Sequence, residues 1–387
     1  MSFPSRWKIF RDSSAVTPAV PLPASGEEWV GPADTAADII VDKLIDWGVG
    51  IVFGLAADAG NPLIYAIQKR KDKIRFIAAQ QARSPAFMAS GYAQYTGRLG
   101  VCLAAPGSAP AAIWDGLYDA SLEGAAVLAI TDADGTAMQD FLVYDQKIAG
   151  PLQALTVVDL ACRAALTTPG AAHITVAADV QTKPLREDKP SPETVEIAGS
   201  SSFQPQKNLS DREDQLEPSV WPDHLATTVS RLMNADALVA VEAGAHTVFN
   251  SRYWQATGNQ QVLLCSSATP ISGSPAQPAG SMANDTSPGL PYALAAQIAY
   301  PYRQCIAVVN DNSLAALAEE LRTAVSYSLP VKIIVLKKEQ QPMNFVKMAE
   351  GYGLEAFNCK HPGELRSALL QAFAAPGAAL VEVEMEN

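Results

Sequence analysis

Residues 35–55 read TAADIIVDKLIDWGVGIVFGL. Ala36, Ile39, Ile40, Leu44 and Trp47 recur at helical spacing and share one face. Asp34 is expected to cap the helix and Gly48 to stop it. The run VGIVFGL that follows is apolar throughout and of strand length, the pattern of a strand covered on both faces.

Working outward, the same alternation repeats. A helix (PLIYAIQKR), a strand (IRFIAA), a helix (SPAFMASGYAQYTG) and a strand (LGVCLAA) follow, then a helix (AAIWDGLYDASLE) and a strand (AAVLAIT). Strict alternation of this kind predicts a parallel sheet with helices on both faces. The block closes at HITVAADV, so a first α/β domain is placed at residues 34–180. Residues 181–219 are rich in Pro, Ser and charge, and read as a linker. Helices and strands alternate again from Trp221 to the end, which places a second α/β domain at 220–387. The two blocks carry a faint repeat: TPGAAHITVAAD at 168–179 resembles APGAALVEVEME at 375–386. The fold class expected is therefore α/β, with two related, doubly wound parallel-sheet domains. Residues 1–33 form an N-terminal arm in which the basic-aromatic RWKIFR precedes a Pro/Ala/Ser stretch.

Composition narrows the function classes. With 48% hydrophobic and 18% charged residues the chain is core-forming. Twenty-eight basic against 40 acidic residues give a net charge of −12, which argues against binding nucleic acid through its phosphates. No apolar run approaches membrane-spanning length. The N-terminus lacks the apolar core of a secretory signal, and the five cysteines are scattered without a CxxC. Buried thiols in a cytoplasmic protein are the expectation. His173, His224, His246 and His361 are too dispersed for a metal cluster, and Ser108 has no His/Asp pattern near it. Asp58 and Asp132 follow strands, where such sheets bind ligands, but also where aspartates form turns and caps.

TAADIIVDKLIDWGVGIVFGL, AFMASGYAQYTGRLGVCLAAPG, DGLYDA and VLAIT resemble the pyrimidine-binding domain of thiamine-diphosphate enzymes of the pyruvate oxidase and acetolactate synthase type. VEAGAHTVFNSRYW, the stretch from GLPYALAAQIAY to KIIVL, and NFVKMAEGYG resemble their diphosphate-binding domain. The resemblance covers about residues 34–186 and 220–387; the linker stands where the family has a central domain. It implies a glutamate after the second strand that protonates the cofactor's ring nitrogen. Here that stretch is Gln80-Gln81-Ala82-Arg83, with Ala82 in the glutamate's place. It also implies a Gly-Asp-Gly…Asn-Asn motif holding Mg²⁺ through oxygen ligands. Here Asn310-Asp311-Asn312 replaces the first part, and Lys337-Lys338 falls at the second. An ammonium cannot ligate a cation. The phosphate turn is Pro106-Gly107-Ser108-Ala109, the family's Phe-Gln-Glu is Phe141-Leu142-Val143, and the covering loop shrinks to EQQPM.

These losses imply a degenerate site with no catalytic residue, no metal and no cofactor, in an inactive homologue with a structural or partner-binding role. The alternative is a thiamine-diphosphate- and Mg²⁺-dependent 2-oxoacid decarboxylase or carboligase with a modified site. Lys338 or Lys337 is expected to turn its ammonium onto Asp311 in place of the ion. The family's intersubunit contacts, carried by SPAFMASGYAQY and GLPYALAAQIAY, imply a homo-oligomer or a heteromer with a related chain. The arm is a further candidate tether to a larger assembly.

Overall fold

A computed structural model describes residues 35–55, 60–104, 111–132, 139–185, 220–242, 259–265, 287–338 and 342–385. The first domain contains α1 (Ala36–Asp46), β1 (Ile51–Leu55), α2 (Pro62–Gln68), β2 (Arg75–Ala79), α3 (Ser84–Thr96) and β3 (Gly100–Ala104). It continues with α4 (Ala111–Leu122), β4 (Val127–Thr131), β5 (Tyr144–Ile148), α5 (Pro151–Thr167), β6 (Ala171–Val176) and α6 (Ala178–Gln181). The second contains α7 (Val220–Leu232), β7 (Leu238–Glu242), β8 (Gln261–Cys265), α8 (Gly289–Ala299), β9 (Cys305–Asn310) and α9 (Asp311–Ala316). It ends with α10 (Glu320–Ser326), β10 (Lys332–Lys338), α11 (Phe345–Tyr352), β11 (Glu355–Cys359), α12 (Pro362–Ala374) and β12 (Ala379–Met385).

Each domain is built on a six-stranded sheet, ordered β2-β1-β3-β4-β6-β5 and β11-β12-β10-β9-β7-β8. All strand pairs run parallel. Numbered within its own domain, each sheet has the same order, 2-1-3-4-6-5. The two stretches of the sequence repeat end in β6 and β12, which occupy the same place beside an edge strand. The α/β class and the duplicated layout therefore hold. The central strands β3, β4 and β7 are buried along their whole length, as their unbroken apolar runs require.

Local chemistry sets the first helix. Thr35, not Asp34, is the N-cap of α1: its hydroxyl accepts from Asp38 N, and Asp38 Oδ2 accepts from Thr35 N in return. This capping box satisfies two helix-end donors at once, which Asp34 one residue earlier would not do. Gly48 follows with φ of 78°, a left-handed turn that suits glycine. Residues 178–185 return to this point, where Ala36 N donates to Lys183 O. All five cysteines are buried and unpaired with one another.

The two domains meet through α3 and α8. Both helices are buried almost all round, so their apolar faces cover one another within one chain. Gly91 makes the crossing possible: a Cβ there would lie 2.9 Å from Tyr292 Cα. A polar cluster is sealed into the contact. Asp119 of α4 accepts from the Tyr292 hydroxyl and from Ser90 Oγ at 3.2 Å, while Gln94 Nε2 donates to Tyr292 at 2.8 Å. Burial pushes the Asp119 carboxyl up to about 7.

Candidate cofactor site

The loop after β2 is where the resemblance places the family's proton donor. Its main chain is held from the second domain. Glu320, at the start of α10, is fully buried and accepts from Gln80 N at 3.0 Å and Gln81 N at 2.9 Å. It also accepts from Thr323 Oγ1 at 2.7 Å. Burial raises its carboxyl above the usual range, against the pull of these donors. Gln81 Nε2 donates to Ala316 O at 2.7 Å, and Ala78 N donates to the Tyr327 hydroxyl at 2.8 Å. The outer edge of β2 is thus covered by α10 rather than left open. Ala82 follows on this pinned loop, and no side chain from Gln80 to Arg83 carries a carboxyl group.

In the second domain the strand ends converge on Glu242, which sequence reasoning did not single out. It closes β7, is buried, and accepts from Gly289 N at 3.1 Å, Asn310 N at 2.8 Å and Ser313 Oγ at 3.0 Å. Burial pushes it up to about 8. Gly289 opens α8 directly against it: an added Cβ would meet the Glu242 side chain at 2.6 Å. No local pattern in VEAG marks this glutamate as a hub, because its donors come from three other segments.

Asp311 is buried at the start of α9. Its Oδ1 accepts from Asn312 N at 2.8 Å and its Oδ2 from Lys338 N at 3.0 Å. The expected ammonium–carboxylate pair is therefore not formed. Lys338 meets Asp311 through its main chain, and its side chain is exposed. Lys337 lies on the opposite face of β10 and turns to Glu382 of β12, with Nζ to Oε1 at 3.0 Å. Strand alternation decides which way each lysine points. Asn310 is extended (φ −81°), a conformation open to any residue, so the lost glycine leaves no backbone strain.

The remaining candidates do not join these groups. His173 is buried in β6 between Asp145 Oδ1 at 2.7 Å and Thr131 Oγ1 at 2.9 Å, where it fastens the edge strand β5 to the sheet. His224 meets Pro362 O at the surface, and His361 precedes α12. Asp132 follows β4, its carboxyl raised by burial. Gly107, Ser108, Asp58 and His246 lie outside the described residues. Among the described residues no group of three or more His, Cys, Asp or Glu could hold a metal ion, and no helix is long and apolar enough to cross a membrane.

Comparison with known proteins fixes the family. Residues 34–157 match the model of the thiamine pyrophosphate enzyme N-terminal TPP binding domain. Residues 242–339 and 337–383 match that of the C-terminal TPP binding domain. The chain belongs to the thiamine pyrophosphate enzyme family. It is 25% identical to YdaP of Bacillus subtilis over 197 residues, covering 47% of this chain and 33% of that protein. It is 26% identical to the acetolactate synthase large subunit of Porphyra purpurea over 190 residues, 43% of this chain and 29% of the relative. It is 27% identical to the pyruvate oxidase of Lactiplantibacillus plantarum over 119 residues, 31% of this chain and 20% of the relative. The matched part is about a third of these relatives' length or less.

This overturns the expectation of no cofactor. Both matched domains are TPP-binding domains, and they point to thiamine diphosphate as the ligand of the fold. The described residues fit it incompletely. They bring no carboxyl side chain free to act on the loop at Ala82. At Asp311 they bring one carboxylate whose two oxygens already accept main-chain hydrogen bonds. An octahedral Mg²⁺ site asks for more oxygen ligands than that.

Proposed function

We propose that this chain is a catalytically inactive member of its family, with a structural or partner-binding role. One observation carries the reading. The loop where the resemblance calls for a glutamate has Ala82, and the acid that hydrogen-bonds to that loop, Glu320, cannot replace it. Its carboxyl is inaccessible and engaged by Gln80 N, Gln81 N and Thr323 Oγ1. A proton donor must reach the atom it serves.

The test is turnover. Purified chain, saturated with thiamine diphosphate and Mg²⁺, is given pyruvate and other 2-oxoacids, and release of CO₂ is followed. No release above the protein-free control is expected. Release that depends on the added cofactor rejects the proposal. The variant Ala82→Glu shows whether the acid is the missing part: turnover in it alone supports the argument from this position.

A further inference from the structure

We propose that Arg75, Arg98 and Tyr327 form a binding site for the phosphate group of a small molecule, at the seam between the two domains. It is separate from the loop at Ala82. That loop leaves the C-terminal end of β2, whereas Arg75 begins the strand, about 13 Å away at a rise of about 3.3 Å per residue.

By strand alternation the Arg75 side chain shares the face of Ile77 and Ala79, which packs into the core formed by the first sheet with α3 and α8. It is half-buried there. A guanidinium is all donors and no acceptor. Yet that of Arg75 has no hydrogen-bond or ion-pair partner among the described residues. A charge withdrawn from water is normally paired. Burial lowers its pKa from the usual arginine value, and the groups that act against this are two phenols, Tyr92 and Tyr327, not a carboxylate. The chain has 40 acidic residues, so the missing counter-ion is not for want of carboxylates in the sequence.

Further donors converge here from two other elements. Tyr92 of α3 takes a hydrogen bond from Arg98, in the turn between α3 and β3, and also sits in the field of Arg75. Arg98 is exposed, so this side is open to solvent. Tyr327, at the end of α10, accepts from Ala78 N at 2.8 Å, which leaves its own O–H proton with no acceptor among the described residues. Two guanidiniums and a phenol proton suit an anion with several acceptor oxygens. A phosphate monoester carries about −1.5 to −2 at neutral pH, which two guanidiniums balance and a lone carboxylate does not. Arg75 and Arg98 belong to the first domain and Tyr327 to the second, so the bound phosphate ties the domains together.

Inorganic phosphate is the probe. Titrated calorimetrically into the full chain at constant ionic strength, it should bind saturably at millimolar concentration or below and raise the melting temperature. Chloride and acetate at the same ionic strength should do neither. R98M removes a surface charge and should weaken phosphate binding by about tenfold or more. R75M should abolish binding. Because it removes a desolvated and unpaired charge, R75M should melt no lower than the parent in phosphate-free buffer. Absence of saturable phosphate binding overturns the proposal, as does binding indifferent to R75M and R98M. A response to acetate equal to or stronger than that to phosphate rejects phosphate as the ligand. An R75M protein that melts well below the parent without phosphate would show the guanidinium to be already satisfied, and overturns the proposal too.

Discussion

Replacing Glu320 by Ala should loosen the contact between the domains, and the size of the effect follows from the groups left behind. The carboxylate accepts from Gln80 N, Gln81 N and Thr323 Oγ1. A buried donor stripped of its acceptor costs about 1–3 kcal/mol. Gln80 and Gln81 are only half-buried, so water can reach their amides and the lower figure applies to each. Removing a carboxyl that burial disfavours returns part of the loss. The net expectation is a destabilisation of about 2–3 kcal/mol. Glu320→Gln keeps an acceptor for the two amides and should cost less than about 1 kcal/mol. Urea unfolding followed by tryptophan fluorescence measures both, with the slope checked for constancy. An E320A protein within about 0.5 kcal/mol of the parent, a typical surface-substitution effect, refutes the reasoning.

Asp119 and Glu242 have folded-state pKa values raised by burial, from 3.8 to about 7 and from 4.5 to about 8. The native chain therefore keeps protons that the unfolded chain releases, and their contribution to stability falls as pH rises from about 4 to about 8, then levels off. Each tenfold difference in proton affinity between the folded and unfolded chain is worth about 1.4 kcal/mol. Chemical denaturation across that range should therefore show a loss of several kcal/mol, and D119N should remove part of the slope. An unchanged slope in D119N would show that its carboxyl is not perturbed. Lys332 is 4% exposed and donates to Ala375 O and Gly377 O, both at 2.7 Å. K332M should cost about 2 kcal/mol or more in thermal or urea unfolding by stranding the two carbonyls. Gly91→Val should be worse still, because its Cβ meets Tyr292 backbone; normal expression and an unchanged melting temperature would contradict the α3–α8 crossing.

Much of the fold was legible because the central strands are buried on both faces and so read as unbroken apolar runs. Of the edge strands, β2 was legible as IRFIAA, but β5 and β11 were not. β5 (YDQKI) and β11 (EAFNC) are partly exposed, and their composition names neither strand nor helix. The site was legible by its departures: Ala82, Asn310 and Lys338 stand out against the family's pattern. What those positions do was not legible. Which of Lys337 and Lys338 faces Glu382 depends on the pleat of β10, and the partner of Asp311 is a main-chain amide that no side-chain pattern announces. No local pattern marks Asp119, Glu242 or Glu320, because packing brings their donors from distant segments. The cofactor expectation failed for a different reason: missing residues were read as a missing ligand, whereas the family match attaches the ligand to the fold.

The lack of a proton donor at Ala82 is the central claim. The direct measurement is hydrogen–deuterium exchange of the thiazolium C2 proton of thiamine diphosphate, followed by NMR after rapid quench, with the chain in excess and Mg²⁺ present. The expected result is an exchange rate equal to that of the free cofactor, including where a separate titration shows it bound. Exchange on the chain accelerated by orders of magnitude would contradict the claim and return the site to catalysis.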